Sequence, residues 1–283
     1  MGTPALSSAP RAPRSFIPTV FALALVAGSA SAFSTTRNYS TGNSTFGGAA
    51  SVSAFDSQST TSYGIYGNAY ATGYVLGQSV NLANANGSAV FNYTANRGTV
   101  SANLSAFGVT LASYNQGFST SASVSTPTYT KSSPAIKGVV WLSIVPINLS
   151  ATATGSIRFS GNVSIQPGNP TTTFSASVGP VTSAGVTATA SVSALVASAG
   201  VSGSLNLLGN DLKLNGGVSY AIRAINGRRA WTNYSVTSQF NYAAGNIGIW
   251  AAYLGRNYYG TLASWNGGST GVTSLTSGGT TIW

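Results

Sequence analysis

The chemistry open to this 283-residue chain is set by two carboxylates, Asp56 and Asp211, because it contains no histidine, no glutamate and no cysteine. General acid–base catalysis draws on His, Asp and Glu because their proton affinities can be brought near ambient pH. A Ser-His-Asp triad, a Cys-His pair and metal sites built on His or Cys are therefore excluded by composition. A pair of carboxylates at the right separation could still hydrolyse a glycoside. The surroundings of the two residues point elsewhere. Asp56 lies at the edge of a Ser/Thr-rich stretch, and Asp211 follows Gly209-Asn210 between Leu208 and Leu212, where a hairpin turn is expected. Lys131 and Lys137 could in principle activate a serine, but both stand in a Pro- and Ser-rich connection and match no Ser–Lys spacing. The glycines open no phosphate-binding loop between a strand and a helix. The expectation is a non-enzymatic protein with no cofactor and no metal.

Binding is the chemistry that remains, and its densest signal runs from Trp231 to Trp265. Trp231, Tyr234, Phe240, Tyr242, Trp250, Tyr253, Tyr258, Tyr259 and Trp265 fall here, interleaved with Asn233, Asn241, Asn246, Asn257 and Asn266. Flat rings stack on the apolar faces of sugars while amides bond hydroxyls, so Trp231, Tyr234, Trp250, Tyr258, Tyr259, Trp265 and Asn257 are the candidate ligand-binding residues. Core packing competes with that reading. Tyr234, Val236, Phe240 and Tyr242 share one phase, and Trp250 and Tyr253 have apolar neighbours on both phases, as a buried central strand would. Tyr258 and Tyr259 point to opposite faces of an extended chain, which leaves at least one of them exposed.

Charged residues make up 5% of the chain against about 25% in an ordinary globular protein. Ser, Thr, Asn and Gly fill the polar positions instead. Residues 1–32 are laid out as a secretory signal: Arg11 and Arg14, an apolar run from Phe16 to Gly28, then Ala30-Ser31-Ala32 as a cleavage point. The run is well short of the roughly 20 apolar residues that cross a bilayer. Cleavage near Ala32 gives an exported chain that begins near Phe33. With Arg11 and Arg14 gone, ten basic residues face two acidic ones, a formal charge of +8. That balance suits a polysaccharide or an anionic surface. The basic residues are scattered, only Arg228-Arg229 being adjacent, and no nucleic-acid-binding pattern occurs, so nucleic acid is not an expected partner. Asn38, Asn92, Asn103, Asn148, Asn162 and Asn233 open Asn-x-Ser/Thr triplets, which would accept glycans in a eukaryotic secretory route.

The elements that must carry these residues are strands. Val100, Ala102, Leu104 and Ala106 alternate with polar residues until Phe107-Gly108 resets the phase. Ile147 to Ile165 keeps one phase throughout, which is long for one strand and suggests a bend at a glycine, and Val186 to Val196 does the same. Asn86-Gly87, Asn215-Gly216, Asn226-Gly227 and Asn266-Gly267 read as tight hairpin turns, and Pro127 to Pro134 and Gln166 to Pro170 as longer connections. The fold class is all-β and antiparallel, a sandwich or a barrel-like sheet. The chain divides into the signal (1–32), a Ser/Thr/Gly-rich leader that is a loose arm or an edge strand (33–61), a first β unit (62–165), a second with the aromatic-rich part (166–265), and a Gly/Ser/Thr-rich tail (266–283).

Two related units are suggested by spacing. Val100-Ser101, Leu104, Gly108 and Leu111 are matched by Val201-Ser202, Leu205, Gly209 and Leu212, and Trp141, Gly155, Ile157 and Phe159 by Trp231, Gly245, Ile247 and Ile249. Chance similarity in a sequence poor in residue types explains the match equally well. The function expected is adhesive, structural or glycan-binding, at the cell surface or secreted. An outer-membrane β-barrel ending in Trp283 is the alternative, and a self-associating matrix or fibre protein the third.

Overall fold

The computed structural model describes residues 33–281 except 144, 169–170, 193–196, 203–204, 224–226 and 243–244, with backbone alone at 171, 265 and across the rest of 187–197, 202–231, 242–245 and 280–281. Among the described residues the chain is all-β with antiparallel sheets and no helix, and the sheets do not close into a barrel, so a sandwich-like fold is the architecture formed. Strands β1 (Ser34–Gly42), β2 (Phe46–Gln58), β3 (Ser62–Val75), β4 (Gln78–Asn92), β5 (Arg97–Ala106) and β6 (Val109–Phe118) form a first sheet in chain order. The second sheet is built on β10 (Val145–Gln166), which pairs on one side with β7 (Ser121–Ser125), β8 (Tyr129–Ser132) and β9 (Ile136–Leu142). On its other side follow β11 (Thr171–Val192), β13 (Leu205–Arg223) and β14 (Gly227–Tyr242), and β14 also takes β17 (Gly268–Ser269) and β18 (Thr273–Thr281). A small third sheet has the order β12 (Ala197–Ser202), β15 (Gly245–Tyr253), β16 (Arg256–Trp265).

The long strand β10 explains how the layers meet. Its odd-numbered residues from Val145 to Ile165 are all buried, and its even-numbered ones are all more exposed. Successive side chains of a strand point to opposite faces, and the register with β11 is continuous from Ile147 to Gln166, so one face of β10 is covered along its whole length. The C-terminal part of that face lies on β4 and β5. At the N-terminal end Val145, Ile147 and Leu149 pack with Ile249 and Ala251 of β15. The first and third sheets thus lie side by side in one layer, opposite the second sheet. Asn43, in the β1–β2 turn, ties them by donating its side-chain amide to the Leu262 carbonyl at 3.0 Å.

Between the layers the side chains are small where backbones approach and aromatic where they part. A Cβ on Gly155 would stand 2.1 Å from the carbonyl oxygen of Leu82, a residue bulged out of the β3–β4 register. Glycine at 155 therefore serves close approach of two sheets within an unbroken ladder. In the wider part, Phe174 stacks on Phe91 (centroids 5.1 Å apart) and Phe118 (6.1 Å), with Tyr63 edge-on at 6.5 Å.

Several local expectations are corrected. Residues 33–61 are no loose arm. They supply β1 as the edge strand, and β2 as an interior strand whose Val52 and Ala54 are core. Asn86-Gly87 and Asn215-Gly216 are not turns but lie inside β4 and β13. Gly87 is there because the Phe159 ring lies against it, 2.1 Å from where a Cβ would stand. The hairpin turns between β3 and β4, β5 and β6, and β15 and β16 are instead Leu76-Gly77, Phe107-Gly108 and Leu254-Gly255, each with positive φ at both residues. Of these only Phe107-Gly108 is marked by a phase reset. Asn226 falls outside the described residues, and Asn266-Gly267 is not a hairpin turn either, since it links β16 to β17, strands of different sheets. The spacing match between 100–111 and 201–212 falls on the β5–β6 hairpin in one case and on β12 and β13, which belong to different sheets, in the other.

The Pro127–Pro134 connection likewise holds secondary structure. Strands β7, β8 and β9 lie end to end along the edge of β10, so Lys131 and Lys137 are strand residues. Prolines interrupt this edge, as they do where a sheet must not recruit further strands. Hydroxyls bridge the breaks: Phe159 N–H donates to Thr126 Oγ1 at 2.9 Å, and Ala153 N–H to Ser133 Oγ at 3.0 Å.

One turn offers a test of local strain. Leu254 is 70% exposed and has φ 49°, so it makes little packing to offset a conformation that favours Asn or Gly. Replacing Leu254 by Asn is expected to stabilise the protein by about 0.5–1 kcal/mol. The measurement is the urea midpoint at unchanged slope, and a lower midpoint would mean that the leucine side chain packs after all.

Candidate functional site

Trp250, Tyr259 and Asn257 come together on the outward face of the three-stranded sheet. In the ladder Trp250 stands opposite Tyr259 on one side and Gly200 on the other. Directly opposed residues of antiparallel strands point to the same face with Cβ atoms about 5 Å apart. The Trp250 ring lies over Gly200: its Nε1 is 2.5 Å from where a Cβ there would stand. A side chain at 200 would lift the indole, so the glycine lets the ring lie close along the sheet. Trp250 is 37% exposed and Tyr259 75%, and Asn257 and Thr261, two residues to either side of Tyr259, are exposed as well. Arg256, next to Asn257 at the hairpin end, is also exposed.

The strands reach this arrangement because their opposite phase is needed for the core. Ile249 and Ala251 are buried against Val145, Ile147 and Leu149, and Tyr258 is partly buried against the same cluster. Adjacent residues of an extended strand face opposite ways, so Tyr258 goes inward and Tyr259 outward. Tyr234 is also apart from the face. It lies on β14, stacked on Phe33 with centroids 4.5 Å apart, and its hydroxyl crowds Gly278. Val236 and Phe240, on its phase, are fully buried, as a core strand requires. The side chains of Trp231 and Trp265 lie outside the described residues. By register their backbones stand opposite Ser219 and Gly245 respectively.

A second exposed ring escaped the sequence reading. Trp141 on β9 is 67% exposed and shares its face with Val139, opposite Pro146 and Asn148 of β10. From Val139 to Leu142 both phases of β9 are apolar, so alternation there does not tell outward from inward. Val140 and Leu142 join the cluster under the third sheet, which leaves Trp141 on the outer surface of the opposite layer.

The two aspartates stand on different sheets, and only the side chain of Asp56 is among the described ones. Asp56 is 1% exposed, on the inward phase of β2, where its Oδ1 accepts the Phe33 backbone N–H at 2.9 Å and its Oδ2 the Gln58 side-chain amide at 2.5 Å. Burial and the nearby Asp56 charge push the Tyr63 phenol well above its usual range. Asp211 lies in the interior of β13, paired with Val181 and Gln239, in the other sheet. Neither is the turn residue that its neighbours suggest. Among the described residues no three His, Cys, Asp or Glu side chains gather to hold a metal ion.

Compared with known proteins, the chain matches no family model and no curated sequence. Its class rests on the fold itself, an antiparallel sandwich-like β protein with aromatic rings on its outward faces.

Proposed function

We propose that this is an exported, non-enzymatic β protein that binds polysaccharide through the outward face of β12, β15 and β16. The observation that carries the reading is the cross-strand pair Trp250 and Tyr259, solvent-exposed on a sheet whose other face is core. A sheet surface with two neighbouring rings suits an extended sugar chain, whose apolar ring faces stack on aromatics while Asn257 and Thr261 offer hydrogen bonds to hydroxyls. Arg256 at one end, and the +8 balance of a chain without residues 1–32, favour an acidic glycan over a neutral one.

Pull-down on acidic and neutral polysaccharides, followed by titration of the best binder, tests this. Trp250→Ala and Tyr259→Ala should each weaken binding about tenfold or more, the scale of a central aromatic contact. Trp141→Ala should leave binding unchanged. If only the Trp141 variant loses affinity, the binding surface is β9, and if no polymer is retained a structural role replaces a binding one.

Self-association is the second reading. Strand β6 ends the first sheet with a ten-residue edge that contains no proline, the kind of edge that can add a strand from another molecule. Light scattering across a concentration series discriminates it, since a monodisperse monomer at high concentration excludes it.

A further inference from the structure

The first described residue of the chain occupies a built position. Phe33 is buried, its ring stacks on Tyr234, and its backbone nitrogen is 2.9 Å from the Oδ1 of Asp56, itself 1% exposed on the inner face of the sandwich. The Asp56 N–H returns a bond to the Phe33 carbonyl at 3.3 Å, so residue 33 is held from both its peptide groups. The geometry points to the bond between Ala32 and Phe33 as a processing site whose cleavage creates a buried ion pair: the new α-ammonium of Phe33 with the carboxylate of Asp56. This rests on the reading of residues 1–32 as an export signal.

The chemistry balances without any further reagent. Hydrolysis by a leader peptidase adds one water across the peptide bond, leaving a carboxylate on Ala32 and an ammonium on Phe33. At 2.9 Å the nitrogen is already at hydrogen-bond distance, so the change requires no movement of the strand. In the uncut chain the carboxylate already accepts a charge-assisted bond from a neutral amide, and an ammonium at the same place adds the attraction of opposite charges, little screened away from bulk water. The unprocessed chain makes the same contact with a neutral amide, so it folds to the same sheet but holds β1 less firmly. Processing therefore doubles as a latch, fastening the edge strand of the first sheet after export.

The test compares three purified chains in urea: one beginning at Phe33, one beginning at Ala30, and one beginning at Phe33 but acetylated on its α-nitrogen. The chain with the free Phe33 ammonium should have an unfolding constant about tenfold smaller than either of the others, the added attraction of opposite charges net of the cost of burying the ammonium. Asp56→Asn in the first two chains should remove that difference. Equal stabilities of all three, or a difference that survives Asp56→Asn, would overturn the latch. Should Asp56→Asn fail to fold, the acetylated chain decides alone. Mass spectrometry of the exported protein checks the processing site separately: a first residue other than Phe33 overturns that assignment whatever the urea data show, and a retained leader overturns the export reading.

Discussion

Gly155→Ala is expected to destabilise the protein by about 3 kcal/mol or more, beyond what the added methyl alone implies. The methyl would stand 2.1 Å from the Leu82 carbonyl oxygen and 2.9 Å from its carbon. Those atoms are backbone, fixed on one side by the β3–β4 bulge and unable to change rotamer as a side chain would. The two layers must separate there, and separation would loosen the packing of Ala83 and Ala153 along with it. Gly117→Ala is the control. It lies on exposed β6, with its nearest neighbour atom 3.8 Å from the added carbon, and should change stability by no more than about 0.5 kcal/mol. Urea unfolding of both variants decides it. Equal midpoints would mean that the sheets do not meet at Gly155.

The second large effect is expected at Phe174. Its side chain is fully buried at the meeting of three rings: Phe91 stacked at 5.1 Å, Phe118 at 6.1 Å and Tyr63 edge-on. Phe174→Ala removes apolar contact from both layers and leaves a cavity that packed aromatic neighbours cannot close, at a cost of about 3–5 kcal/mol. Phe174→Leu keeps most of the volume and should lose clearly less. A loss under about 1 kcal/mol for the alanine variant would show that the site collapses or that water reaches it. Because Tyr63 packs on this ring and feels the Asp56 charge, the alanine variant should also bring the tyrosine titration closer to its normal range. Spectrophotometric titration reads that change independently of stability.

How much of this was legible in the chain depends on how far each feature reaches. The alternation from Ile147 to Ile165 was plain because the pleat of a strand sets each side chain's direction from its own backbone, and every odd residue there is small or apolar. The same local rule assigned Tyr258 and Tyr259 to opposite faces. Asn86-Gly87 misled because the dipeptide has the same intrinsic preference in a turn and in a strand. What decides is the Phe159 ring, more than seventy residues away in sequence. Leu76-Gly77 and Leu254-Gly255 were missed for the converse reason, since leucine is a poor residue for positive φ and the hairpin imposes it.

The candidate face divides in the same way. Its residue types were visible, but strand β15 is apolar on both phases, and nothing local told Trp250 from Ile249. The contact of Ile249 and Ala251 with β10 settles which side is core. Asp56 looked like a residue outside the core because it lies at the edge of a Ser/Thr-rich stretch, yet it is 1% exposed beside Phe33.

By itself the sequence determined which groups are missing and the scaffold that remains: without imidazole or thiol no Ser-His-Asp triad and no Cys-His pair can form, and a two-residue rhythm is satisfied by strands. Tertiary structure decided which face of each strand is covered, which Asn-Gly pairs lie inside strands, and where Asp56 and the exposed rings end up. The physical reason is one of range. The direction of a side chain follows from its own pleat, whereas its burial depends on segments that meet it only once the layers have closed.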